Sequence, residues 1–126
     1  MTNASLGRHA EQLVADRLGR KGWRIVARHV RTAEVRGELD LVALDAETLV
    51  FVEVKARSVG SVAGPETPAM AVGARKRAKI RMLAAAWLRD RGYDVPRHRE
   101  LRFDVVGLRL DGAGRVTEYE HLEGAF

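Results

Sequence analysis

The chain has 126 residues, of which 46% are hydrophobic and 31% charged, and it contains no cysteine. These values predict a single globular domain, residues 1–126, and exclude a disordered segment, disulfides, thiolate zinc sites and cysteine nucleophiles. The formal charge of +5 favours a polyanionic partner such as nucleic acid, although the same charge also serves solubility.

The sequence shows no segment for membrane insertion or export. No apolar run approaches the length of a membrane span, and residues 1–5 lack the basic and apolar regions of a signal peptide. We therefore expect a cytoplasmic protein with no membrane partner.

The first predicted element is an amphipathic helix from Ser5 to about Arg20, with Ser5 as its N-cap and Gly22 as its terminator. Glu11 lies on the flank of its apolar stripe, where the pattern alone favours a solvated carboxylate. The stripe contains five residues at helical spacing: Leu6, Ala10, Leu13, Val14 and Leu18.

Residues 23–31 alternate well enough to predict a strand, and residues 32–36 form a polar connection after it. This region is basic. Its cationic side chains either approach phosphates or protect a strand edge from aggregation, and the pattern supports both interpretations equally. The residues concerned are Arg28, His29, Arg31 and Arg36.

Two apolar runs, residues 39–44 and 49–54, flank the polar residues 45–48 and predict a β-hairpin with a four-residue loop. The second run is apolar on both faces, as in a central strand. It nevertheless contains Glu53 and Lys55, which are residue types that are almost never buried unless they are paired. This contradiction indicates a functional site.

Closing the loop with Leu44 opposite Leu49 would place Asp40 opposite Glu53 and Glu38 opposite Lys55. A slip of two residues would place Glu38 opposite Glu53 instead. In either register, facing carboxylates on a buried strand pair require a cation or a shared proton.

A hard divalent ion such as Mg²⁺ takes oxygen ligands and fits such a pair of carboxylates. Lys55 would then lie beside the metal. The simpler alternative is a hairpin whose charged ends are solvated, with a weak surface ion pair between Glu38 and Lys55. The apolar character of both runs and the basic helix that follows favour the metal site.

Residues 57–68 are rich in turn-forming residues and predict a substrate-contacting loop, with Arg57 and Ser58 as candidate phosphate ligands. Thr67 and Pro68 are expected to begin a second helix that runs to about Asp90.

Basic residues crowd the first half of this second helix. Lys76 falls on the apolar stripe, so it should point toward Glu53 and Lys55, or extend its amine to solvent. We expect the cluster as a whole to contact the backbone of nucleic acid. It consists of Arg75, Lys76, Arg77, Lys79 and Arg81.

Residues 101–110 and 115–122 bracket a turn at residues 111–114 and predict a final hairpin. Asp104 lies between apolar residues and is expected to be a structural hydrogen-bonding partner. The predicted order is αβββαββ, an α/β fold with a mixed central sheet flanked by helices.

Asp40, Glu53, Val54 and Lys55 resemble the PD-(D/E)XK signature of the restriction-endonuclease-like nuclease superfamily, with Leu39 where the signature has proline. The longer runs resemble the YraN family of bacterial proteins, which is related to archaeal Holliday-junction resolvases. These runs are residues 37–40, 51–57, 102–106 and 125–126.

The resemblance implies the restriction-endonuclease-like fold and a Mg²⁺- or Mn²⁺-dependent endonuclease acting on DNA, including branched DNA. Asp40, Glu53 and the carbonyl of Val54 would hold the metal. Glu11 matches the acid that these nucleases bring from the first helix, and it would complete the coordination directly or through water.

The resemblance further implies that Lys55 orients the attacking water or stabilises charge on the phosphate. Glu38 would position Lys55, or become a ligand if the register slips. Resolvases of this type are symmetric dimers, so a homodimer is also implied. The alternatives are a non-catalytic nucleic-acid-binding module with the same fold, and a protein-interaction subunit whose acids only stabilise the core.

Overall fold

The computed structural model describes residues 2–60, 69 and 72–126. The strands form one sheet in the order β1-β2-β3-β4-β5, in which β3 and β4 are parallel and the other neighbours antiparallel. This mixed sheet with its helices confirms the predicted α/β class. In chain order the elements are α1 (Asn3–Arg20), β1 (Arg24–Val30), β2 (Leu39–Asp45), β3 (Thr48–Ser58), α2 (Ala74–Arg91), β4 (Glu100–Leu110) and β5 (Val116–Leu122).

One helix packs on each face of the sheet. On one face α1 buries Val14 and Leu18 against sheet residues that include Val52. On the other face Trp87 of α2 packs edge-on against Phe51, with ring centroids 6.0 Å apart. Because β3 is covered on both sides, its residues from Leu49 to Val52 are all apolar. Within the described ranges, neither helix has the length and apolar content needed to cross a membrane.

Helix α1 begins at Asn3, two residues before the predicted start. Its N-cap is Thr2, whose hydroxyl accepts a hydrogen bond from the main-chain N–H of Ser5 at 3.1 Å. Ser5 instead lies in the first turn, because the hydroxyl upstream of it already satisfies the free donors of the helix end. Gly22 follows the helix with φ of +93° and ends it as predicted.

The turn between β2 and β3 contains two residues, so the predicted four-residue loop is wrong. Asp45 pairs with Thr48, and Ala46 adopts a φ of 52°, which matches a two-residue turn to the twist of the strands. Extending both strands by one residue leaves the register unchanged. Leu44 lies opposite Leu49 as predicted, and the slipped register is excluded.

Strand β3 continues to Ser58, so Arg57 lies on a strand and not in the predicted loop. Pairing with β4 carries the strand this far, since Arg57 pairs with Arg109 and Ser58 with Leu110. The rest of the predicted loop, residues 61–68, lies outside the described residues.

Helix α2 begins at Ala74, with Gly73 as its N-cap, so the predicted start is wrong. Ala69 and Val72 are 1% and 4% exposed, but they precede the helix. Their spacing in the sequence resembles the apolar stripe of a helix, because periodicity does not show whether a buried residue lies in a helix or before it. The predicted capping residues, Thr67 and Pro68, lie outside the described residues.

A buried polar cluster fixes the segment after β5. The Asp104 carboxylate accepts hydrogen bonds from Arg102 at 2.8 and 3.0 Å, from His121 at 2.8 Å and from the Gly124 main chain at 3.0 Å. Burial opposes ionisation, but these donors outweigh it and hold the pKa of Asp104 below its usual range. The predicted structural role of Asp104 is confirmed.

Candidate functional site

The chemistry-bearing residues meet in one cavity at the end of β2 and β3, which we call the carboxylate cavity. Its volume is about 400 Å³. Its lining residues come from α1, β2, β3, the segment before α2 and the start of α2, and they are Glu11, Asp40, Glu53, Val54, Lys55, Val72 and Lys76. The fold thus brings the four signature residues, Asp40, Glu53, Val54 and Lys55, together with residues that are far from them in the sequence.

The end of strand pairing fixes Asp40 in this cavity. Main-chain pairing of β2 with β3 reaches Leu41 and Val52. Just beyond, Asp40 Oδ2 accepts a hydrogen bond from the main-chain N–H of Val54 at 2.9 Å. This hydrogen bond lies beyond the last main-chain pair of the two strands. The Asp40 carboxylate is therefore held by β3, the strand that carries Glu53.

Asp40 lines the cavity together with Glu11 and Glu53, close enough for its negative charge to act on both of them. Burial, followed by the neighbouring Asp40 carboxylate, raises the pKa of Glu53 to about 9. Burial and the charge of Asp40 also raise the pKa of Glu11 to about 7. Near neutral pH, Glu53 is therefore mainly protonated and Glu11 is close to the midpoint of its titration.

Two buried oxygens of the cluster, Glu11 Oε2 and Glu53 Oε2, have no hydrogen bond among the described residues. Side-chain nitrogens lie near both: His29 Nδ1 is 2.9 Å from Glu11 Oε2, and Lys76 Nζ is 3.4 Å from Glu53 Oε2. These are ion-pair distances without hydrogen-bond geometry. Buried oxygens without donors are costly, and carboxylate oxygens are the ligands that Mg²⁺ and Mn²⁺ prefer. The donor set therefore fits a hard divalent cation.

The three acidic side chains of the cavity are not spaced as ligands around one metal ion in this structure. Across residues 2–60, 69 and 72–126, no three acidic, histidine or cysteine side chains have the mutual spacing of metal ligands. Because the pKa values of Glu11 and Glu53 are raised, metal binding to these carboxyl groups would release protons.

Lys76 points toward Glu53, as its position on the stripe predicted, although 54% of its side chain is exposed. It also lines a larger cavity of about 770 Å³ on α2, which we call the basic groove. The groove is formed by Gly73, Ala74, Arg75, Lys76, Ala78, Lys79 and Met82. Lys76 is therefore a direct connection between a cationic surface and the carboxylate cavity.

The other two predicted nucleic-acid ligands are placed differently. Arg77 Nε donates to the Val72 carbonyl at 3.0 Å, and its guanidinium lies 5.6 Å from the Phe126 ring centroid. Arg57 lies on β3 with a buried Nε that has no hydrogen bond in the described part of the chain. The structure thus assembles Arg75, Lys76 and Lys79 but separates Arg77 and Arg57 from them.

Glu38 is not placed to position Lys55, so this prediction is wrong. Its Oε1 accepts from His29 Nδ1 at 3.1 Å, and its Oε2 lies 3.3 Å from Arg31 Nε. The strands have already diverged at this point, and Glu38 turns toward the end of β1 instead.

The sequence pattern did not predict that His29 lies beside Glu11 and Glu38. A strand pattern assumes regular alternation, but β1 contains a register shift between Ile25 and Ala27, and His29 has a φ of 48°. The sequence signal was weak: histidine tolerates positive φ better than most residues.

Comparison with known proteins identifies the family. The family described as "Uncharacterised protein family UPF0102" matches residues 10–108. A UPF0102 protein of Rhodococcus jostii is 43% identical over 124 residues, which cover 98% of each chain. A UPF0102 protein of Moorella thermoacetica is 40% identical over 126 residues, which cover 100% of this chain and 98% of the relative. Of the predicted relationships, the one to the YraN proteins is confirmed, since the chain belongs to their family, UPF0102.

Proposed function

We propose that this protein is a divalent-metal-dependent endonuclease with a restriction-endonuclease-like fold, and that it hydrolyses phosphodiester bonds in DNA, including branched DNA. One observation carries the proposal: Glu11, Asp40 and Glu53 converge in a cavity that Lys55 also lines. The match of Asp40, Glu53 and Lys55 to the nuclease signature supports it. So does the cationic groove that adjoins the cavity.

Asp40, Glu53 and the Val54 carbonyl would hold the metal, and Glu11 would complete its coordination. The ion, Mg²⁺ or Mn²⁺, would polarise the scissile phosphate and lower the pKa of a bound water. The hydrogen bond from Val54 N–H holds Asp40 in place before the metal binds. This preorganisation removes part of the cost of assembling charge at the moment of reaction.

The two lysines of the cavity have different roles in this proposal. Lys55 lies on β3 next to Val54 and supplies positive charge to the phosphate or orients the attacking water. Lys76 contacts Glu53 and also lines the basic groove. It therefore links the acidic cluster to the DNA strand that Arg75 and Lys79 hold by their charges.

The proposal is tested by a cleavage panel of linear, flapped and four-way DNA in Mg²⁺, Mn²⁺, Ca²⁺ or chelator. We expect cleavage in Mg²⁺ or Mn²⁺ but not in chelator. Lys55→Ala should lower kcat by about 10²- to 10³-fold, because it removes charge stabilisation at the phosphate, with little change in the Kd for DNA.

Lys21→Ala is the matched control for this variant. Lys21 lies at the C-terminal end of α1, with Nζ 5.1 Å from the Trp23 ring centroid, and does not line the carboxylate cavity. Cleavage that persists in chelator, or that Lys55→Ala leaves intact, would contradict the proposal.

The basic groove also supports a second candidate, a non-catalytic nucleic-acid-binding module, since a cationic groove binds phosphates without help from the carboxylates. Tight DNA binding with no cleavage in any metal would select this alternative.

The double variant Arg75→Ala/Lys79→Ala is expected to weaken DNA binding in a salt-dependent manner. Each phosphate contact that is lost should reduce the slope of log K against log salt by about 0.9. Arg89→Ala/Arg91→Ala removes the same charge from the other end of α2 and serves as the control. Titrations by fluorescence anisotropy at several salt concentrations provide the measurement, and equal slopes for the two variants would exclude the groove as the binding surface.

A further inference from the structure

One histidine nitrogen faces two carboxylates at the edge of the site. His29 Nδ1 is 2.9 Å from Glu11 Oε2 and 3.1 Å from Glu38 Oε1. An ionised carboxylate can only accept, so in the contact with Glu38 it is Nδ1 that donates. The geometry directs that hydrogen to Glu38, while Glu11 Oε2 stays in close contact without a hydrogen bond of its own.

The backbone of His29 is strained to allow this placement. His29 lies between Arg28 and Val30, which pair with Leu41 and Leu39, yet its φ of 48° is in the left-handed region. Residues with a Cβ seldom adopt this region, although histidine does so more often than most, and such outliers cluster at functional sites. The distortion turns the imidazole out of the regular strand alternation and toward α1.

His29 lies outside the carboxylate cavity, whose lining includes Glu11 but not the histidine. A separate cavity of about 260 Å³ contains His29, Glu38 and Glu11. Glu11 therefore lies between the two cavities and lines both of them. Its carboxyl group contacts Asp40 on one side and His29 on the other.

A continuous series of charged contacts results. Arg31 Nε lies 3.3 Å from Glu38, Glu38 accepts from His29, and His29 contacts Glu11. The first two contacts fix the imidazole, and the imidazole limits the positions that the Glu11 carboxylate can take. Glu11 is a long side chain on the flank of α1, so without this contact it has more rotamers to lose on binding a ligand.

We propose that His29 is a positioning residue, which holds the Glu11 carboxylate beside Asp40 so that the two acids present their oxygens to one divalent cation. This inference rests on the proposed function. In metal sites, groups that orient a ligand from outside the coordination sphere typically change affinity by about 10- to 100-fold when removed.

The test is Mn²⁺ binding by isothermal titration calorimetry, together with cleavage at limiting and saturating Mn²⁺. His29→Ala and His29→Gly both remove the imidazole, whereas His29→Asn keeps an N–H donor and tolerates the left-handed backbone. His98→Ala is the control, because the His98 ring bonds to the Pro96 carbonyl at 2.8 Å and does not line the carboxylate cavity.

We expect His29→Ala and His29→Gly to bind Mn²⁺ about tenfold more weakly, and His29→Asn to recover part of the affinity. Their kcat should fall at limiting Mn²⁺ and return at saturating Mn²⁺, with an unchanged KM for DNA. Saturating metal would not rescue the loss of a proton-transfer group. His29→Gly should also melt at least as high as His29→Ala, since glycine relieves the strain.

Native Mn²⁺ affinity in all three His29 variants would overturn this inference alone. So would losses of affinity that merely follow the melting temperature, as a structural role predicts. If the unmodified protein neither binds Mn²⁺ nor cleaves DNA, the proposed function fails and this inference fails with it.

Discussion

Asp40→Asn is expected to abolish metal-dependent cleavage, with a loss of at least about 10³-fold in kcat and little change in DNA binding. Asp40 contacts both other acids and is the carboxylate that the strand end holds in place. Asparagine keeps the size of the side chain but offers a neutral oxygen, which is a far weaker ligand for a hard cation.

The fold should survive this substitution. The asparagine side-chain oxygen can accept the same hydrogen bond from Val54 N–H. Removing the charge of Asp40 also removes one cause of the raised pKa of Glu11 and Glu53. In chelator the variant should therefore melt at the native temperature or above it, while its Mn²⁺ affinity falls.

Asp45→Asn provides the matched control, since it makes the same chemical change at the other end of β2. Asp45 Oδ2 lies 3.7 Å from Arg102, in a partly exposed ion pair that contributes little to stability. Cleavage and calorimetric Mn²⁺ titration of both variants provide the measurement. If the Asp40→Asn variant still cleaved DNA, the carboxylate cavity could not be the catalytic site.

The convergence of the acids on β2 and β3 was predictable because strand geometry is periodic. Alternation and a single register, Leu44 opposite Leu49, suffice to bring Asp40 near Glu53, and a one-residue error in strand length does not change this result. The direction of Lys76 followed in the same way from helical periodicity. In both cases the answer depends on regular structure alone.

The features that were missed depend on irregular backbone. The positive φ of His29 and the buried, non-helical Val72 leave no periodic signal. The partner of Glu38 could not be predicted for a related reason. It depends on where β2 and β3 separate, and the sequence pattern does not show this. Sequence reasoning thus located the acids but not the contacts that His29 and Glu38 make beside them.

Without divalent metal, the protein is expected to lose stability as the pH rises from about 5 to about 9. Folding raises the pKa of Glu11 from 4.5 to about 7 and that of Glu53 from 4.5 to about 9. Above pH 4.5 the unfolded chain has released protons that the folded chain still holds, so raising the pH favours unfolding. Each such group lowers the free energy of unfolding by at most about 1.4 kcal/mol per pH unit.

The shape of the curve of stability against pH shows which glutamate causes each part of the loss. Up to about pH 7 both glutamates contribute, and between about pH 7 and 9 only Glu53 does, so the slope should decrease near pH 7. Asp104 acts in the opposite direction: its stabilisation is lost as the pH falls through its lowered pKa, which is below 3.8 and outside this window.

Thermal melts at fixed ionic strength, in chelator and in Mn²⁺, measure the effect. Mn²⁺ binds the ionised carboxylates, so it should raise the melting temperature more at pH 8 than at pH 6. Glu53→Gln should flatten the profile and raise the melting temperature at pH 8 in chelator, because it removes a buried group that ionises only at a cost. Glu47→Gln, at an exposed glutamate 3.4 Å from Arg99, should leave the profile unchanged. If the melting temperature of the unmodified protein in chelator stayed constant or rose across this pH range, Glu11 and Glu53 would be ordinary solvated carboxylates with no protons for a metal to displace.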